Sequence, residues 1–70
     1  MKPITKRQQT ILEFIRSFIE HNGYSPSIRE IGDEFDIRSP NGVARHLKFL
    51  RKYGYVTWKD GASRTLRVLK

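Results

Sequence analysis

Ser39-Pro-Asn-Gly-Val-Ala-Arg-His-Leu-Lys-Phe-Leu-Arg-Lys-Tyr-Gly54 reads as one capped helix with two faces of different chemistry. Ser39 is a good N-cap, and Pro40 takes the first helical position, where its missing N–H costs nothing. Gly54 supplies the left-handed residue that ends the helix, which spans about 40–53. Val43, Leu47 and Leu50 follow the i, i+4, i+7 spacing of a buried stripe. Asn41, Ala44, Arg45 and Lys48 repeat that spacing on an adjacent face and carry no large apolar group. Small and hydrogen-bonding residues on the outer N-terminal face of a short helix suit the DNA major groove. An ordinary amphipathic surface helix fits this segment equally well, so the flanking sequence must decide.

Upstream, Thr5 with Gln8 three residues on forms a capping box and opens a helix running to about Asn22. Its expected buried stripe is Ile11, Leu12, Ile15, Phe18 and Ile19, broadened by Phe14, and Gly23 ends it. Pro26 biases Ser25 away from helix, so Tyr24-Ser-Pro is a turn. Ser27 with Glu30 makes a second capping box, opening a short helix with Ile28, Ile31 and Phe35 facing inward. Asp36-Ile-Arg38 joins it to the cap at Ser39. Two helices a few residues apart, the second capped and basic, form the helix-turn-helix pattern.

Downstream of Gly54 the period changes to two. Val56 and Trp58 share one face of the first run, and Leu66 and Val68 share one face of the second. Asp60-Gly61-Ala62-Ser63 between them is a turn signal in a short loop, with Lys59 and Arg64 flanking its tip. A hairpin alone is not stable, so this one must rest on the helices. The expected fold is α+β: a three-helix winged helix-turn-helix with a β-hairpin wing, one domain over residues 1–70.

The chain has 70 residues, no cysteine and a net charge of +7. Disulfides and thiolate metal sites are excluded, and the composition is compatible with a reducing cytosol. No apolar run approaches a membrane span, and no signal-peptide core follows Lys2. Residues 1–37 hold five basic residues (Lys2, Lys6, Arg7, Arg16, Arg29) against six acidic ones. Residues 38–70 hold nine basic residues against Asp60 alone. All the excess positive charge therefore lies in the half with the candidate recognition helix, where it attracts polyanions. Anionic lipid is a weaker partner for helices committed to a core. RNA fits poorly too, since helix-in-groove readout suits B-form DNA and Tyr24, Tyr53 and Tyr55 form no stacking platform.

Several short strings go beyond a generic winged helix. They are Thr-x-Arg-Gln-Gln at 5–9, Gly23 with a Ser-Pro-Ser turn, Arg-Glu-Ile at 29–31, Arg-Ser-Pro-Asn at 38–41, His-Leu-Lys at 46–48 and Gly-Ala-Ser-Arg at 61–64. With them the chain closely resembles, across essentially its whole length, the N-terminal DNA-binding domains of the LexA family of bacterial SOS repressors. The resemblance implies a third helix in the major groove of an inverted-repeat operator, one domain per half-site. It implies that Ser39, Asn41, Gly42, Ala44 and Arg45 face the bases. The 59–64 wing then approaches the adjacent backbone and minor groove. In the best-studied branch the positions matching Ala44 and Arg45 are acidic, so that branch's operator does not carry over.

Side-chain chemistry suggests replacements. Arg45 suits guanine O6 and N7, and Asn41 suits adenine N6 and N7, each pair worth roughly 1–3 kcal/mol of discrimination. A plain phosphate contact for Arg45 is the competing reading. Ser39 is first a helix cap. Gly42 fits either first-turn tolerance or close approach to DNA. Lys48, Arg51 and Lys52 read as phosphate contacts or as solvated charge, and Arg29 as a backbone contact from the start of the second helix. Lys59 and Arg64 favour DNA because a hairpin holds them beside the helix. The role of Arg7 is open.

His46 reads as a packed, hydrogen-bonded histidine rather than a metal ligand, since His21 is distant and no third ligand is evident. Phe49 lies toward the outer side, to pack on the wing or mark an interaction surface. Full-length members of the resembling family carry a C-terminal domain whose Ser–Lys dyad cuts its own chain in response to RecA filaments, and which makes the dimer. The chain stops at Lys70, where the second strand is expected to end. The expectation is therefore no enzyme, no catalytic residue, no metal and no cofactor, with Ser63 as a wing residue rather than a nucleophile. The expected partner is double-stranded DNA, bound in the cytoplasm at the nucleoid by chains that are monomers in solution and pair on DNA. A protein-docking winged helix, or a stand-alone phage or plasmid regulator outside the SOS response, remains the alternative.

Overall fold

Reciprocal caps place the first two helices. The computed structural model describes residues 4–70; Lys2, counted in the charge balance, lies outside them. Thr5 Oγ1 accepts from Gln8 N–H while Gln8 Oε1 accepts from Thr5 N–H, opening α1 (Lys6–Asn22). Ser27 and Glu30 repeat the arrangement at α2 (Ile28–Phe35). Each cap contributes about 0.5–2 kcal/mol. The third helix, α3 (Pro40–Lys52), begins with Pro40 behind Ser39, whose hydroxyl accepts from Asn41 N–H at 3.2 Å. It ends one residue earlier than expected, with Tyr53 as C-cap and Gly54 left-handed at φ +77°.

Ile11, Leu12, Ile15, Ile31, Val43, Leu47 and Leu50 are buried between the three helices, joined by Val56 and Leu66 from the wing. Phe18 and Ile19, expected in the buried stripe of α1, are half-buried. Phe14 bridges them to α2 through an edge-on contact with Phe35, ring centroids 5.6 Å apart. Ile28 departs from expectation outright: it is exposed. It is the first residue of α2, and its side chain borders two open clefts.

The α2–α3 turn is held by close backbone approach. Asp36 adopts a left-handed φ of +56°, and Ile37 N–H donates to Gly32 O at 2.9 Å. A Cβ on Gly32 would lie 2.8 Å from Ile37 O, so this contact requires glycine or displacement of the turn. Arg7 donates to Phe35 O at 2.6 Å, placing a cation at the negative end of α2.

The strands are shorter than the alternating pattern predicts. β1 (Val56–Thr57) and β2 (Arg67–Val68) pair antiparallel, Val56 opposite Val68 and Thr57 opposite Arg67. Two side-chain hydroxyls cut the ladder short. Lys59 N–H donates to Thr65 Oγ1 at 2.9 Å, and Leu66 N–H donates to Ser25 Oγ at 3.2 Å. Backbone groups that would extend the strands are thus bonded within the loop and to the turn before α2.

Candidate nucleic-acid interface

The N-terminal half of α3 presents its polar face to solvent. Ser39, Asn41 and Arg45 are exposed, and Ala44 is half-buried beside them. Gly42 points the other way: a Cβ there would meet Ile37 Cγ2 at 2.8 Å. Its small size therefore serves the α2–α3 turn, a reason absent from both earlier readings. Arg45, Lys48 and Arg29 are exposed and make no side-chain hydrogen bond or ion pair among the described residues. Lys59 is exposed at the base of the wing loop, where its backbone bonds to Thr65 Oγ1 and its ammonium has no polar partner among the described residues.

Two arginines, Arg51 near the end of α3 and Arg64 in the wing loop, are engaged within the protein. Arg51 pairs with Asp60 at 3.2 Å and lies 4.4 Å from the centre of the Trp58 ring. Trp58 Nε1 donates to the same Asp60 oxygen at 3.0 Å. Arg64 pairs with Glu30 at 2.8 Å, donates to Ser25 O at 3.1 Å and lies 5.1 Å from the centre of the Tyr24 ring. Lys52 is exposed, with its ammonium 5.8 Å from the Tyr53 ring. The expected backbone-contact set thus divides into exposed lysines and Arg29, open to a ligand (Arg29, Lys48, Lys52, Lys59), and the guanidiniums of Arg51 and Arg64 that brace the wing.

Titration follows these contacts. Backbone hydrogen bonding at Ser27, then the bond from Arg64, holds the Glu30 carboxyl below its ordinary range. The Arg51 hydrogen bond and charge do the same for Asp60. His46 is half-buried, with Nδ1 3.3 Å from Gln8 Nε2, as a packed and hydrogen-bonded histidine should be. Burial, then the charges of Arg7 and Arg45, push its pKa down, so it adds no charge to the face at neutral pH. Phe49, half-buried, meets the Tyr53 ring at a tilt of 47°, centroids 4.9 Å apart.

A cleft of about 460 Å³ separates the wing from the helices. The start of α2 with Ile28 and Arg29 forms one wall, α3 from Ala44 through Lys48 the floor, and Ala62 to Thr65 the opposite wall. A second cleft, about 470 Å³, runs between Arg29 and Arg38 past Pro40. Arg38, beside the N-cap of α3, lines this second cleft and was not among the expected site residues. Ile28 on the cleft walls and Ser25 under the wing were likewise not expected there; nothing local marks a serine before proline as the anchor of a distant loop.

The arrangement is a helix face of unpaired hydrogen-bonding groups, flanked by free cations and a braced loop, with no helix long and apolar enough to cross a membrane among the described residues. Residues 1–65 match the family described as LexA DNA binding domain. A LexA repressor of Thermotoga petrophila is 51% identical over 70 residues, covering 100% of this chain and 35% of the relative. A LexA repressor of Sorangium cellulosum is 49% identical over 67 residues, covering 96% and 29%. One from Anaeromyxobacter dehalogenans is 52% identical over 66 residues, covering 94% and 29%. The chain spans about a third of the length of these curated relatives. With three helices, a hairpin wing and this match over nearly its whole length, the chain belongs to the LexA DNA-binding domain family.

Proposed function

We propose that residues 1–70 act as one sequence-specific DNA-binding module of a bacterial repressor, reading one half-site of an inverted-repeat operator. The observation that carries this reading is the face of exposed Asn41 and Arg45 with half-buried Ala44 on α3, whose side chains have no polar partner among the described residues and which the wing cleft borders. In it, α3 enters the major groove. Asn41 and Arg45 read base edges bidentately, Ala44 makes apolar contact, and Ser39 lies at the duplex, while Gly42, expected among the base-facing residues, acts only by letting α3 pack on Ile37. Arg29, Lys48, Lys52 and Lys59 neutralise phosphates. Arg51 and Arg64 belong to the same interface through the wing they hold.

One module of this size buries about 600–1,000 Å² of protein surface on DNA, so a single chain binds modestly. Isolated chains are monomers in solution and pair on DNA. A dimerising partner makes the second contact intramolecular, at an effective concentration on the order of mM. In this reading dimerisation and any response to RecA are not functions of residues 1–70.

The test is selection of duplexes from a random library at moderate salt, with the chain fused to a neutral dimeriser. An enriched inverted repeat is the expected outcome. Recovery of duplexes without common sequence, with affinity collapsing as salt rises, leaves only non-specific electrostatic attraction and sinks the reading.

A further inference from the structure

The wing meets the helices through an ion pair of unusual placement. Glu30 closes the capping box of α2, accepting from Ser27 N–H at 2.8 Å, and the same oxygen accepts from Arg64 at 2.8 Å. Arg64 also donates to Ser25 O, and Ser25 Oγ accepts from Leu66 N–H. Ser25, Glu30 and Arg64 therefore join the turn before α2, its N-terminal cap and the last residues of the wing loop in one cluster. Arg64 has a left-handed backbone, φ +56°, uncommon for a residue with a side chain. That conformation persists where the surroundings over-determine it, as these bonds do here. Thr65 Oγ1 bonds to the Lys59 backbone within the loop, and this cluster ties the loop to the helices.

We infer that Glu30, Ser25 and Arg64 form a clasp that sets the wing at its working angle to α3, making Glu30 and Ser25 positioning residues for DNA binding. The inference rests on the proposed DNA-reading function and deepens it. An exposed ion pair by itself contributes little. This one differs because the carboxylate is already fixed by the helix cap and the guanidinium is shared with a backbone carbonyl and lies on Tyr24. The wing then arrives at the duplex preorganised, with Lys59 already placed, and binding does not bear the cost of ordering the loop.

The sign of one substitution separates the clasp from a direct phosphate contact. Glu30→Gln keeps the capping box, which glutamine also completes, and removes a negative charge from beside the cationic face. If Arg64 were a phosphate contact restrained by Glu30, this change would free it and tighten binding. The clasp requires the opposite: Kd for a selected duplex rises roughly three- to tenfold. Arg64→Lys, which keeps the charge and loses the planar fork, should raise Kd by a similar factor. Ser25→Ala alters no charge and should act in the same direction. In the free protein, all three should accelerate hydrogen exchange at the Leu66 amide while the chemical shifts of α2 stay helical.

Unchanged or tighter binding by Glu30→Gln overturns the inference, as does unchanged Leu66 exchange in that variant. The exchange measurement needs no DNA, so its failure removes the clasp alone. A failed duplex selection removes the DNA-reading function instead.

Discussion

The start of α3 and the wing are both rich in cations, yet the structure spends those cations differently. On α3, Arg45 and Lys48 are exposed without a partner among the described residues. At the wing both guanidiniums that reach it are tied, Arg64 to Glu30 and Ser25 and Arg51, from the end of α3, to Asp60 and Trp58, leaving Lys59 exposed. The helix is rigid because its own backbone hydrogen bonds make it so, and its side chains remain available. A hairpin with two paired residues per strand has no such internal rigidity and takes it from arginine side chains. Positive charge counted along a sequence therefore overstates the number of groups open to a phosphate.

The largest effect expected from this contrast is at Arg45. Arg45→Ala should cost roughly 1–3 kcal/mol on a selected duplex and much less on unrelated sequence, measured by titration of both. Equal losses on the two would move Arg45 from base reading to phosphate contact. An effect of similar size belongs to folding rather than to DNA. Gly32→Val forces a side chain against Ile37 O and should destabilise by about 1–3 kcal/mol in thermal or urea unfolding. A variant with parental stability would show that the α2–α3 turn yields, removing the rigid basis for the helix side of the contrast.

Salt dependence gives a finer test. Neutralising a phosphate contact lowers the slope of log K against log salt by about 0.9. Lys48→Gln should show that decrement, whereas Arg51→Gln should show a smaller one, because Arg51 already balances Asp60. Equal decrements would mean that Arg51 exchanges Asp60 for phosphate on binding.

The smallest effect is in pH. Because the folded protein depresses the His46 pKa, the unfolded chain binds more protons in that range. Stability should therefore be full above the ordinary histidine value of 6.5 and decline as pH falls below it. The depressed carboxylates Glu30 and Asp60 act in the same direction in a separate, more acidic window below their ordinary values of 4.5 and 3.8. His46→Gln should flatten the upper step in a thermal melt followed against pH, and a persistent step would assign it elsewhere.

Local chemistry made the helices legible. Thr5, Ser27 and Ser39 act on N–H groups two or three residues ahead, and a left-handed Gly23 or Gly54 needs no distant partner. The α3 stripe was likewise readable, since helical periodicity places Val43, Leu47 and Leu50 inward whatever they meet. Ile28 was misplaced because periodicity within a helix does not say which of its positions a neighbouring element covers. The strands were overextended because alternation reports which faces can be buried, not whether the ladder N–H groups stay in the ladder. Ser25 and Thr65 took two of them.

By itself, then, the sequence determined the order of elements, the caps, the greater part of the core and the polar face of α3, because each depends on interactions within a few residues. Tertiary structure alone decided which cations are free. Arg64 is 34 residues from Glu30 and 39 from Ser25, and no local pattern encodes bonds across such separations. They form only when packing of the wing against the helices brings those groups together.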